Sequence, residues 1–354
     1  MKKILITTGG TGGHVIPAKI ISEHLKNKFE IFYSTDLRGN KYLLSKTNKT
    51  IIINTPKLNF SILLPFKLLK LIYLIFSIII FLKKNDIKKI ISIGGYMSLP
   101  VIIAAKILGL SIFLFEPNLV LGRSNKFSLN FSKKIFCYSN KLFNFPKKYL
   151  DKIELIKPLV FKDFYDLKKD KTDNAKFCFL ISGGSQGAKI FDDLIKEVMS
   201  EISKKFEIKV IQQTSLDNIK RLKEFYDTKN IENKIFNFEE KFINLINMSD
   251  LCITRAGATS LAEISFLNKP FIAIPLPTAK DNHQMKNAKF YEKAGCCWVI
   301  DQNDLNKTKL LKILLDILEK KSDFQNKIAN LEKLNYKNIW NDVNHKLQKV
   351  INEN

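Results

Sequence analysis

Two glycine loops carry the residues whose types and spacing could do chemistry. Gly9-Gly10-Thr11-Gly12-Gly13 runs directly into His14, and Gly183-Gly184-Ser185-Gln186-Gly187 repeats the pattern near mid-chain. Glycines after a strand let backbone N–H groups approach an anion at a helix N-terminus, where the dipole adds its attraction. Neither loop spells a Walker A motif or G-x-G-x-x-G, so the generic nucleotide labels fail and only the anion-loop physics remains. A third loop, Gly94-Gly95-Tyr96, adds weight. An imidazole titrating near ~6.5 makes His14 a candidate general base, the bland alternative being a ring that stiffens its loop. The other histidines carry less, since His24 and His345 fall on expected helices with no partner.

A second set lies downstream. Arg255-Ala256-Gly257-Ala258-Thr259-Ser260 precedes Glu263, and Asp281-Asn282-His283-Gln284 precedes Asn287. A carboxylate near a helix start can accept hydrogen bonds from two vicinal hydroxyls, or can simply favour the helix dipole. The imidazole and amides suit sugar hydroxyls.

The elements that must position these residues alternate. Strands are expected at Lys3 to Thr8, Phe29 to Ser34, Lys89 to Ile93, Ser111 to Phe115 and Lys134 to Tyr138, with helices at Pro17 to Lys26 and Leu99 to Leu108 between them. The pattern restarts at Lys176 to Ser182, with a helix from Ala188 towards Lys204. It continues through Ile208 to Gln212, Lys234 to Phe238, Leu251 to Thr254, Phe271 to Pro275 and Cys297 to Ile300. Such alternation predicts an α/β chain with parallel, doubly wound sheets, here two Rossmann-like domains facing across a cleft that holds the ligands. The basic stretch from Pro158 to Asn174 is the expected linker.

Composition bounds the reading. The 354 residues suffice for two domains, and 45% apolar with 26% charged residues excludes a wholly disordered or collagen-like chain. A net charge of +24 favours anionic partners, although a chain rich in Lys, Ile, Asn and Phe also inflates the basic count. Five cysteines without C-x-x-C spacing and four histidines imply a reducing compartment and no structural metal. The run Ile4 to Ile6 is too short for a secretory leader. Leu71 to Leu82 (LIYLIFSIIIFL) is uncharged between Lys70 and Lys83. It is too short to span a bilayer, which needs ~20 residues, and Pro65 limits its extension backwards. It is either a buried helix or an interfacial one whose flanking lysines meet acidic headgroups.

The motifs taken together resemble the MurG family of peptidoglycan glycosyltransferases. They are GGTGGHVIPA at Gly9, GGYMSLP at Gly94, EPNLVLGRSNK at Glu116, GGSQGA at Gly183, RAGATSLAEI at Arg255 and KDNHQMKNA at Lys280, and they cover essentially the whole chain. The resemblance implies a GT-B fold, no cofactor or metal, and inverting transfer of N-acetylglucosamine from UDP-GlcNAc to lipid I at the cytoplasmic face of the inner membrane. The enzyme would be peripheral there, using an anionic membrane surface through the basic N-terminal domain and Leu71 to Leu82, with no nucleic-acid partner. It also implies an acceptor domain at 1–160, a donor domain at 161–335 and a helical tail at 336–354 packing back on the first domain.

Position by position, the resemblance puts Glu263 on ribose and Gln284 and Asn287 on the sugar. Ser185, Gln186, Ala258 and His283 would border the donor, and Thr11, Gly12 and Gly13 would reach it from the first loop. His14 becomes the base, and Gly94, Gly95, Tyr96, Asn118 and Asn125 line the acceptor side. Base recognition falls near Phe238 to Phe242. The chain departs from the family with Phe115-Glu116-Pro117-Asn118 in place of His-Glu-Gln-Asn and Lys157-Pro158-Leu159-Val160 in place of Asn-Pro-Val-Arg. The alternatives are another GT-B lipid glycosyltransferase, a UDP-GlcNAc 2-epimerase, or a non-enzymatic basic protein.

Overall fold

The computed structural model describes residues 1–10, 12–43, 49–56, 62–167, 176–184 and 188–353. Thr11, Ser185 and Gln186 lie outside them. The described chain divides into two compact units, Met1–Lys162 with Asn338–Asn354, and Asp163–Lys337.

The first unit is built on seven strands: β1 (Lys2–Thr7), β2 (Phe29–Thr35), β3 (Thr50–Ile52), β4 (Lys89–Ser92), β5 (Ser111–Glu116), β6 (Lys134–Cys137) and β7 (Ile153–Leu155). All pairings are parallel, in the order β3-β2-β1-β4-β5-β6-β7. The strands read as continuous apolar runs because both sheet faces are covered. Ile4, Ile6, Ile91, Phe113 and Phe115 enter one core and Leu5, Phe32, Ile90, Ile112 and Leu114 the other. The chain's last helix, Trp340–Glu353, belongs to this unit and lays Val343, Leu347, Val350 and Ile351 into the core of Ile4 and Ile6.

The second unit holds β8 (Phe177–Ser182), β9 (Ile208–Gln213), β10 (Glu232–Phe236), β11 (Leu251–Thr254), β12 (Phe271–Ala273) and β13 (Cys297–Val299). Their order is β10-β9-β8-β11-β12-β13, again wholly parallel. Strand order reverses between β1 and β4 in one unit and between β8 and β11 in the other. These are the points where doubly wound sheets open a crevice for ligands.

Several expectations are corrected. β3 and β7 were not expected, because three residues are too few to show a strand period. The first helix spans Gly12–Leu25, starting inside the glycine loop rather than at Pro17. His14 therefore sits in its first turn. Pro17 inside the helix removes one N–H from the ladder, the one that would have bonded the Gly13 carbonyl.

The apolar segment is also longer than expected: one 21-residue helix, Leu64–Lys84, with Pro65 at its first turn. Proline there opens a helix instead of blocking it, since the first-turn N–H groups have no intrahelical partner anyway. By length and composition this helix could cross a membrane, with a mean hydropathy of 2.1 over its best window, of which 11% is buried. The fully buried reading does not hold. Leu71, Ile78 and Leu82 pack into the unit, while Phe66, Leu69, Ile72, Tyr73, Phe76 and Ile80 are exposed.

His24 has a partner after all. Its ring stacks on Trp340 with centroids 3.8 Å apart. The Trp340 indole N–H can only donate, so the Asn344 oxygen faces it at 2.8 Å and the Asn344 NH2 donates to His24 Nδ1 at 2.5 Å.

Candidate active site

At the β1/β4 reversal the first and third glycine loops lie side by side. Gly94 and Gly95 both have positive φ, 90° and 83°, which L side chains rarely adopt. A Cβ on Gly94 would meet the Asn125 amide at 3.3 Å, and one on Gly95 would lie 3.6 Å from the Gly9 carbonyl and 3.8 Å from His14 Cδ2. The missing side chains thus let two loops and an imidazole close on one spot. Tyr96 opens the short turn that follows and is 38% exposed.

Two buried carboxylates hold this arrangement. Asp36, just past β2, uses Oδ1 to accept the N–H of Gly10 at 2.9 Å and of Gly39 at 2.8 Å, and Oδ2 to accept from Arg38 Nε at 3.2 Å. Burial alone would raise its carboxyl, but the two amides and the guanidinium outweigh it and the net shift is downward. Sequence reasoning missed Asp36. The available signal was an acid at the end of the second strand of a glycine-loop unit, a position that usually addresses ribose. Here its oxygens brace the loop.

Glu116, the last residue of β5, is 3% exposed. Its Oε1 accepts from the backbone N and side-chain Nδ2 of Asn118 at 3.2 and 3.0 Å, and its Oε2 from Gly122 N at 2.8 Å and Asn125 Nδ2 at 3.0 Å. Burial raises the Glu116 carboxyl, and these hydrogen bonds only partly offset it. Asn125 also donates to the Phe115 carbonyl at 3.1 Å. Asn118 and Asn125 are therefore brought together on one acid, which fixes the segment between β5 and the helix Arg123–Ser128.

In the second unit the reversal falls between the loop after β8 and the Arg255 segment after β11. The helix Ala258–Phe266 begins there with Gly257 at its cap and no side-chain cap, leaving first-turn N–H groups for an external acceptor. The segment is held from below. Gln284 Oε1 accepts from Ala256 N at 3.2 Å and Leu276 N at 2.9 Å, and Asn287 Nδ2 donates to the Ala256 carbonyl at 3.2 Å. Asn287 is 2% exposed and so acts on the segment from within the protein.

Arg255 stacks over Phe191 and donates to the Ile274 carbonyl at 3.0 Å and to Gln302 Oε1 at 2.6 Å. Glu263 lies in the second turn of its helix, with no hydrogen bond to its carboxylate among the described residues. Burial pushes that carboxyl up to about 8. His283 Nδ1 donates to the Lys280 carbonyl at 2.8 Å, which leaves Nε2 as the acceptor. The two residues before it, Asp281 and Asn282, are both left-handed with φ 54°.

Residues 4–137 match the glycosyltransferase family 28 N-terminal domain and residues 178–343 its C-terminal domain. The chain is 47% identical to the UDP-N-acetylglucosamine–N-acetylmuramyl-(pentapeptide) pyrophosphoryl-undecaprenol N-acetylglucosamine transferase of Pelagibacter ubique, covering 100% of this chain and 99% of that one. It is 34% identical to the transferase of the same name from Rickettsia bellii, covering 94% and 95%. The crystal structure of Acinetobacter baumannii MurG superposes with a TM-score of 0.79 at 23% identity, over 99% of this chain and 100% of that one. Paired glycine loops at two sheet reversals, both family domains and full-length identity agree: the chain belongs to glycosyltransferase family 28 and, within it, to the MurG family.

Proposed function

We propose that the chain transfers N-acetylglucosamine from UDP-GlcNAc to the 4-hydroxyl of N-acetylmuramic acid in undecaprenyl-pyrophosphoryl-MurNAc-pentapeptide, converting lipid I to lipid II in peptidoglycan synthesis. The observation that carries this reading is the 47% identity, along the whole chain, to the Pelagibacter ubique transferase of that name.

The residues divide the work between the units. In the second, residues Asp163–Lys337, the uncapped helix start at Ala258 and the loop from Gly183 through Ser185 and Gln186 face the diphosphate, and Glu263 receives the ribose hydroxyls. Gln284 and His283 address the sugar, while Asn287 keeps the Ala256 peptide in place for them. In the first unit the loops of Thr11 to Gly13 and Gly94 to Tyr96 cradle the acceptor pyrophosphate, on the frame that Glu116 builds with Asn118 and Asn125.

Chemistry is a direct displacement. The acceptor oxygen attacks the anomeric carbon as its proton passes to His14, the bond from that carbon to the diphosphate oxygen breaks, and UDP leaves with its charge met by N–H groups. Electrostatic stabilisation of the leaving group is the largest contribution.

The enzyme sits peripherally on the cytoplasmic face of the inner membrane. Leu71, Ile78 and Leu82 tie the long helix to its unit, so the exposed Ile72, Tyr73, Phe76 and Ile80 lie along the interface between Lys67 and Lys70 at one end and Lys83 and Lys84 at the other.

UDP release from UDP-GlcNAc, assayed with no added metal and with or without a short-chain lipid I analogue, tests the reading. Analogue-dependent release with a disaccharide product supports it. Release of ManNAc without the analogue would indicate a 2-epimerase instead.

A further inference from the structure

Gln213, the last residue of β9, carries both halves of its amide to different parts of the second unit. Its Nε2 donates to the Asn237 carbonyl at 3.1 Å. That fixes which way the amide points, because a carbonyl can only accept. Its Oε1 therefore faces Ser182, whose hydroxyl donates to it at 2.9 Å and accepts in turn from Gly184 N at 3.4 Å. The next residue repeats the connection. Thr214 N donates to the Phe236 carbonyl at 2.8 Å, the Thr214 carbonyl accepts from Asn237 Nδ2 at 2.9 Å, and its hydroxyl donates to Asp192 Oδ2 at 2.7 Å. Asp192 lies in the first turn of the helix Lys189–Ile202, which follows the second glycine loop. Asn237 is thus held at both its carbonyl and its amide by two consecutive residues, which also grip the flanks of the glycine loop.

Phe238, immediately after Asn237, is 79% exposed at the carboxyl edge of the sheet. An exposed ring two strands along the sheet edge from a glycine loop can serve as a stacking platform for a planar heterocycle joined to a phosphate. We infer that Gln213 is a positioning residue that fixes the distance between the second glycine loop and the Phe238 platform, and so sets affinity and selectivity for a ligand carrying both a nucleobase and a diphosphate. This rests on the nucleotide-sugar reading above and goes beyond it by naming what couples the two ends of the nucleotide. Gln213 itself touches no ligand.

The test is calorimetric titration of the full-length protein with UDP, alongside steady-state kinetics with UDP-GlcNAc and the lipid analogue. Gln213→Leu removes both hydrogen bonds, and Gln213→Glu keeps an acceptor for Ser182 but sets a carboxylate against the Asn237 carbonyl. Both should weaken UDP binding about tenfold and raise the UDP-GlcNAc KM in proportion, with the acceptor KM within about twofold. In a Phe238→Ala background, Gln213→Leu should cost less than about twofold, because the platform it positions is gone. Ser182→Ala, a smaller change at the same circuit, should move UDP affinity in the same direction and serves if Gln213→Leu does not fold. Unchanged UDP affinity in the folded variants, a full effect persisting without Phe238, or equal rises in both KM values would overturn the assignment alone. Wild-type protein that fails to bind UDP would overturn the nucleotide reading, and the role of Gln213 with it.

Discussion

Asp36 Oδ1 accepts the Gly10 N–H at 2.9 Å, which ties the first glycine loop to the end of the neighbouring strand. The same oxygen holds Gly39, so Asp36→Ala leaves two N–H groups without their acceptor. A loss of about 1–3 kcal/mol is expected by urea denaturation at pH 7. The sign with pH follows from the lowered carboxyl: its contribution is present above the unfolded value of 3.8 and is lost as pH falls through the lower folded value. The gap between wild type and variant should therefore narrow under strong acid, and a constant gap would refute the charge-assisted bond.

His14→Ala should lower turnover by about 10²-fold or more while UDP binding stays nearly unchanged, because general-base work contributes about 10²–10⁴. His14→Gln is expected to behave the same way, since it fills space but takes no proton. Turnover at the wild-type level would remove His14 from the mechanism.

Glu263 gives the opposite pH sign to Asp36. Its carboxyl is raised to about 8 by burial, whereas in the unfolded chain it titrates near the ordinary 4.5. The folded protein then binds the extra proton, and its stability falls as pH rises from 4.5 towards 8. Glu263→Gln should melt at the same temperature as wild type near pH 4 and progressively higher at pH 6 and 8, while losing UDP-GlcNAc affinity. Parallel melting curves across pH would mean that the carboxyl is ionised in the folded protein.

Phe76 and Ile80 are 65% and 61% exposed on the long helix, whereas Ile79 packs against the core. Phe76→Asp with Ile80→Asp should therefore leave the melting temperature nearly unchanged and reduce sedimentation with anionic vesicles by about tenfold or more, since each buried apolar side chain contributes roughly 1.5–3 kcal/mol. Undiminished vesicle binding would exclude this face as the membrane contact.

His24 is lowered to about 4, chiefly by burial against the last helix and despite its bond to the Val160 backbone. The unfolded chain takes up the proton near 6.5 and the folded one only near 4, so stability should fall as pH drops through that window. In His24→Phe, which keeps a ring for Trp340 to stack on, the urea midpoint should change less between pH 7 and pH 5. An identical decline would place the acid sensitivity elsewhere.

The sequence by itself determined the two sheets and the glycine loops at their reversals. Apolar runs such as Lys3 to Thr8, glycines directly after them and helical spacing behind are local properties, and local physics suffices to read them. Apart from β3 and β7, the strands found lie within a residue or two of those expected, and the glycine loops follow β1, β4 and β8.

Tertiary structure decided which side chains hold those loops. Asp36 and Gln213 carry no motif that distinguishes them from any acid or amide at a strand end, and Glu116, although it opens EPNLVLGRSNK, gives no local sign of what its carboxylate holds. Their roles exist only because parallel pairing brings residues distant in sequence to the same sheet edge, where a buried carboxylate or amide must find partners. The same applies to His24, whose partners lie at the far end of the chain. It applies also to the long helix: composition shows that the segment is apolar, and only the packing of Leu71, Ile78 and Leu82 settles which face remains exposed. Burial is a property of the assembled chain, and it fixes both the partners of a polar group and the proton it carries.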